Sequence, residues 1–117
     1  MTNQLAYNAL NESFLDPLFV LKTQQQIAKD FLKVNLQFPE KFNSEVFSKE
    51  EILLLIENEI ATISERGERH LLQLLYAIDL SEKTFLKLTL QPDFLSKISE
   101  QILMREAYKV WLRTKYS

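Results

Sequence analysis

Residues 47–67 read FSKEEILLLIENEIATISERG, and this stretch decides the fold. Ser48 followed three residues later by Glu51 is a capping box: the serine hydroxyl accepts from a first-turn amide, and the glutamate carboxylate accepts from the Ser48 amide. Phe47 and Ile52 flank it at the spacing of a hydrophobic staple. Ile52, Leu55, Ile56, Ile60 and Ile63 then share one face at helical spacing, and the helix is expected to end near Gly67, which takes a left-handed cap without strain. Gly67 is the single glycine among 117 residues, and no Asn-Gly or Asp-Gly pair occurs. The tight hairpins that a many-stranded fold requires are therefore not encoded. The expected fold is all-α, a compact bundle of four to five helices with a long C-terminal helix, forming one domain over residues 1–117.

On the C-terminal side of this stretch, Leu71, Leu72, Leu74, Leu75, Tyr76, Ala77 and Ile78 are interrupted only by Gln73, the pattern of a helix covered on several sides. The helix over 68–78 is accordingly expected at the centre of the core. Asp79-Leu80-Ser81 marks a turn, with Ser81 as N-cap of a short helix through Leu88. A last helix starts at Pro92 or Asp93 and runs to about Lys115, with no Gly or Pro from Phe94 onward. Its second half is apolar around much of its circumference, more than one bundle face needs. Upstream, Asp16-Pro17 is an N-cap and first-turn pair opening a helix over about 16–34, whose stripe is Leu21, Ala28 and Leu32 flanked by Val20, Ile27, Phe31 and Val34. A shorter helix precedes it around Leu5, Ala6, Ala9, Leu10 and Phe14, with fraying expected at Met1 to Asn3. The connection 35–47 has no helical period and holds Phe38, Phe42 and Phe47, which makes it either a strap over the bundle or a lid over an apolar pocket.

Fourteen Lys and Arg against sixteen Asp and Glu give a formal charge of −2, so no overall cationic field favours nucleic acid. The charge is uneven: residues 40–68 carry eight Glu against Lys41, Lys49 and Arg66, while residues 97–117 carry five basic groups against Glu100 and Glu106. Without cysteine there is no disulfide scaffold, zinc ribbon or thiol nucleophile, and one glycine cannot build a phosphate loop or a dinucleotide fingerprint. No membrane-spanning run and no basic-then-apolar leader are read, so a cytoplasmic location is expected.

Few residues suggest chemistry. His70 lacks the upstream glutamate of a di-iron helix, that position being Gly67, and no cofactor or metal site is read. Asp79, directly after an apolar helix, is either a partly buried carboxylate of shifted protonation or a turn residue. Residues 71–88 have the lengths of a degenerate helix-turn-helix, but Lys83, Thr84 and Lys87 offer no bidentate base contact. Arg105, Lys109 and Arg113 recur every fourth residue in one row beside Tyr108 and Trp111. These five are the candidate interaction residues, the aromatics as anchors and the cations as orienting charges or simply as partners of the helix dipole and Glu106.

The run Leu74 to Lys83, with Ile102 to Glu106 and Lys109 to Trp111, resembles a family of short bacterial proteins without assigned activity. That resemblance spans the C-terminal half and implies a small helical bacterial protein, with no functional residue to carry over. Three functions are therefore weighed. The first is a non-enzymatic module that self-associates, as a homodimer for example, or docks a protein partner through the C-terminal helix. The second is a nucleic-acid-binding regulator using 71–88 and the basic tail. The third is a small-molecule binder with an apolar pocket under the phenylalanines.

Overall fold

The structure is a computed structural model; it describes the backbone of residues 4–116 and the side chains of residues 9–116. The expected fraying of Met1 to Asn3 and the side chains of Leu5 and Ala6 lie outside those described residues. In order the chain forms α1 (Gln4–Ser13), α2 (Pro17–Leu32), a 3-10 turn (Glu40–Asn43), α3 (Lys49–Glu65), α4 (Glu68–Ile78), α5 (Glu82–Leu88) and α6 (Phe94–Tyr116). The bundle is all-α with a long last helix, and among the described residues it has six α-helices, the two short segments α1 and α5 included.

Local chemistry sets the ends. The Ser48 hydroxyl accepts from Glu51 N at 3.1 Å and Ser48 N donates to Glu51 Oε1 at 2.9 Å, closing the capping box. Asp16 Oδ1 accepts from Leu18 N at 3.0 Å, with Pro17 in the first turn of α2. Gly67 differs from expectation. Arg66, right-handed, is the C-cap of α3, and Gly67 at φ 114°, ψ 161° starts α4 instead. The left-handed role falls to Asn35 and Asp79, both at φ 62°. After each, an amide reaches back five residues, Leu36 N to Phe31 O at 3.1 Å and Leu80 N to Leu75 O at 2.9 Å, as in a Schellman end. Asn and Asp tolerate this conformation better than other residues bearing a β-carbon.

The centre of the molecule is α6, which packs against each of the other five helices. This corrects the expectation that 68–78 is central. Helix α4 buries only Leu71, Leu74, Leu75 and Ile78, while Tyr76 is exposed, so it is a one-faced helix. Much of the apolar surface of α6 is used within the chain: Ile98, Ile102 and Leu103 enter the main core with Ile52, Ile56, Ile60 and Ile63 of α3. Further along, Ala107 and Val110 form a second cluster with Leu10 and Phe19. The buried face of α2 is also rotated from the expected stripe. Val20, Ile27 and Phe31 are its buried apolar residues on the main core, and Leu32 is exposed.

The connection 35–47 is a strap. Phe42 is fully buried, stacked on Phe38 at 4.6 Å between ring centres, and Phe31 and Phe47 meet this pair edge-on. The buried Gln24 side chain threads it to α2. Its Nε2 donates to the carbonyls of Phe42 and Glu45, and its Oε1 accepts from Phe47 N, each at 2.8 Å. The stacked rings fill the inner side of the segment, and on its flank Gln37, Phe38 and Asn43 border an open groove against Ala28 and Leu32 of α2.

Candidate functional site: the seam of α2 and α6

Helices α2 and α6 lie side by side and antiparallel, with Asp30 level with Glu106 and Lys109 while Gln26 is level with Arg113. Two of the three residues expected to form a cationic row are therefore turned onto α2. Lys109 Nζ lies 2.8 Å from Asp30 Oδ2 and 3.0 Å from Glu106 Oε1, with only 19% of its side chain exposed. Arg113 Nη1 donates to Gln26 Oε1 at 2.6 Å, and Gln26 Nε2 donates to Asp30 Oδ2 at 3.0 Å. Lys33 completes the ring around Asp30, 3.1 Å from Oδ1. Arg105 reaches the loop after α4 and pairs with Asp79 Oδ2 at 2.6 Å. Asp79 itself is 77% exposed, so of its two readings the structure supports the turn residue, closing α4 as its C-cap.

Glu106 is 0% exposed and Asp30 almost as deeply buried. Two adjacent carboxylates in a low-dielectric seam do not both ionise, and the pair shares one proton. Burial, the hydrogen bond to Asp30 and the Asp30 charge raise Glu106 to about 9, against the opposing pull of Lys109. For Asp30 burial alone acts upward, but hydrogen bonds with Glu106, Lys109, Gln26 and Lys33 outweigh it and hold the carboxyl at about 2. Near neutral pH these shifts favour a protonated Glu106 beside an ionised Asp30 that pairs with Lys33 and Lys109. Neither Glu106 oxygen accepts a well-directed hydrogen bond, and a neutral acid is less costly to bury in that state than a carboxylate. With its oxygens sealed from solvent, the pair braces the two helices and offers no contact to a substrate.

On its outer side α6 presents Tyr108 stacked on Trp111, 5.9 Å between ring centres, both half-buried over the second core cluster. Arg105 lies over the Tyr108 ring at 5.9 Å and Lys115 over the Trp111 ring at 4.8 Å. Phe14 and Phe19 join the same cluster from the α1–α2 corner, where Leu15 is 84% exposed and Leu18 is also exposed. The five expected interaction residues therefore split: Tyr108 and Trp111 are outward anchors, Arg105 and Arg113 are surface cations with internal partners, and Lys109 is internal.

The residues missed by sequence reasoning are Gln24, Gln26 and Asp30. Their signal is phase: Gln24 falls in register with Val20, Ile27 and Phe31, and Gln26 and Asp30 fall in register with Phe19 and Thr23. In the helix-turn-helix candidate, α4 and α5 are joined across Asp79 to Ser81, but α5 has only two turns and contains no Arg, Asn or Gln. Among the described residues no group of three or more His, Asp or Glu is placed to hold a metal ion, and no helix is long and apolar enough to cross a membrane. No protein-family model, curated protein or solved structure matches the chain.

Proposed function

We propose that the protein is a non-enzymatic interaction module that docks an acidic, amphipathic segment of a partner protein on the outer face of α6. The observation behind this reading is the stacked Tyr108–Trp111 pair, half open to solvent with a cation over each ring. Aromatic anchors in a cationic rim suit apolar side chains flanked by carboxylates. The exposed Leu15 and Leu18 stand at the α1–α2 corner, whose Phe14 and Phe19 share the cluster beneath these aromatics. Orientation falls to Arg105 and Lys115, since Lys109 is spent inside the seam. A charge reversal at Lys109 would bury an unpaired charge and report on folding rather than docking.

Trp111 is the single tryptophan, so its emission reports directly on this face. The test is retention of a partner from native-host lysate by wild type and by Trp111→Ala and Lys115→Glu variants, with Trp111 emission followed as the purified partner is added. The expected result is a partner lost by both variants, mapped to an acidic segment, and a blue shift on binding. A partner held equally by all three proteins with unchanged emission sinks the reading. A shift that depends only on the protein's own concentration would make the occupant a second copy.

A further inference from the structure

We propose that the hollow between α2 and the end of α6 binds a phosphoryl group, carried by a small phosphomonoester. The inference is independent of the docking face, because Trp111 and Arg113, about 200° apart around the helix, point to different sides of α6. Lys22 and Lys29 stand two turns apart on the exposed side of α2, and Arg113 enters between them at the level of Gln26. Together with Gln25 they line a hollow of about 210 Å³. A second hollow of about 400 Å³ adjoins it, sharing Lys22 and Arg113 and adding Val110 and Thr114. Among the described residues no carboxylate lines either one. The only acid of α2, Asp30, is turned inward and neutralised by Lys33 and Lys109. Three cations thus converge in a chain of net charge −2, and an anion with two charges relieves their mutual repulsion where a monoanion does so only in part.

The arginine is already aimed. Gln26, less than a tenth exposed, is used at both ends of its amide, taking Arg113 Nη1 on its oxygen and giving its nitrogen to Asp30. The amide orientation is fixed, the guanidinium is fixed by it, and its remaining donors keep the planar fork that matches an oxyanion. Less freedom is lost on binding when the donor is held in advance. Beside the cations, Ala28, Leu32 and Phe38 line a groove of about 350 Å³ that shares Gln25 and Lys29 with the hollow, a floor for an apolar organic body. The acidic stretch of residues 40–68 repels long polyanions, which favours a small ligand.

The test titrates inorganic phosphate and phenyl phosphate into the full chain at low ionic strength, by calorimetry and thermal melting, with sodium chloride and sodium sulfate at matched ionic strength. Saturable binding of both phosphates is expected, with phenyl phosphate tighter by about fivefold or more, since its ring covers apolar surface. Arg113→Ala and the double variant Lys22→Ala/Lys29→Ala should each weaken binding by about tenfold or more, as charge-assisted contacts are lost. Lys83→Ala/Lys87→Ala, which removes the same charge from α5, should leave it unchanged. The two α2 lysines are exposed, so that double variant serves even where Arg113→Ala is less stable. Equal affinity for the two phosphates would overturn the monoester and leave free phosphate as the ligand. A response matched by chloride or sulfate, or lost equally in the α5 variant, overturns the site. Tighter binding of a short single-stranded oligonucleotide, falling steeply with salt, overturns it in favour of a polyanion.

Discussion

On one flank of α2 the side chain of Gln24 is buried and neutral; on the other Asp30 is buried and charged. Gln24 spends its amide on three backbone groups of the strap, and nothing in that arrangement titrates. Asp30 meets Glu106, Lys109, Lys33 and Gln26, and its arrangement holds only while one proton and two ammonium groups stay in place. Both tie α2 to a neighbour. The neutral tie depends on geometry alone and the ionic tie also on protonation, so the same helix is anchored once independently of pH and once not.

The contrast breaks most visibly at Lys109. Lys109→Met removes the more buried of the two ion-pair partners of Asp30 and leaves that buried carboxylate with only the half-exposed Lys33, so unfolding free energy from urea melts at neutral pH should fall by about 3 kcal/mol or more. If Lys109→Met loses no more than an ordinary surface substitution, the seam is not the tie described.

The next largest effect is the pH profile. In the folded chain Glu106 keeps its proton up to about 9, while unfolded it releases it near 4.5. Its stabilising contribution is therefore complete below about 4.5 and is lost as pH rises toward 9, at up to about 1.4 kcal/mol per pH unit between. Asp30 acts in the opposite sense: held at about 2 against 3.8, its contribution is present above 3.8 and is lost as pH falls toward 2, outside that window. Between pH 5.5 and 7.5 the wild type should lose roughly 2–3 kcal/mol relative to Glu106→Gln, which cannot titrate. Parallel profiles for the two proteins would show that Glu106 is already ionised when folded.

Gln24→Leu sharpens the other half of the comparison. It strands the Phe47 amide and the carbonyls of Phe42 and Glu45, with an expected cost of about 2–3 kcal/mol. Unlike the Glu106 effect, that cost should be the same at pH 5.5 and 7.5, and hydrogen exchange at Phe47 N should quicken. A cost that changes across this range would couple the strap to the carboxyl pair.

How much of this was legible in the sequence follows from the same physics. Boundaries governed by neighbouring residues could be read: Ser48 and Glu51 close their box within one turn, and Asp16 caps α2 through Leu18. Which helix sits at the centre could not, because α4 and α6 both carry more apolar residues than a single stripe, and only three-dimensional packing decides which is covered. The seam was hidden by the usual assumption that polar residues mark the solvent face. Glu106 falls in phase with Ser99, Leu103 and Val110, all buried, yet it looked like a local partner of surface cations. It is such a partner of Lys109, but the pair faces inward, toward an acid 76 residues earlier in the chain. Gln24-Gln25-Gln26 looked like a short polar run, whereas its three amides hold the strap from two positions and Arg113 from the third.

The smallest expected effect comes from the exposed counterpart of the buried pair. Asp79 and Arg105 are closer, at 2.6 Å, than Asp30 and Lys109, but water screens them, and such pairs contribute about 0–1 kcal/mol. Asp79 is also left-handed, so substituting it changes two things at once. Asp79→Gly loses the ion pair but relieves the left-handed backbone, and should stay within about 0.5 kcal/mol of wild type. Asp79→Ala loses the same pair and keeps a β-carbon where only Asn, Asp or Gly is at ease, and should be destabilised by about 1 kcal/mol. The difference between the two variants is then the backbone contribution, free of the charge. Equal losses in both would mean that the ion pair, not the turn, holds the end of α4, and a distance of 2.6 Å at the surface would count for as much as burial does in the seam.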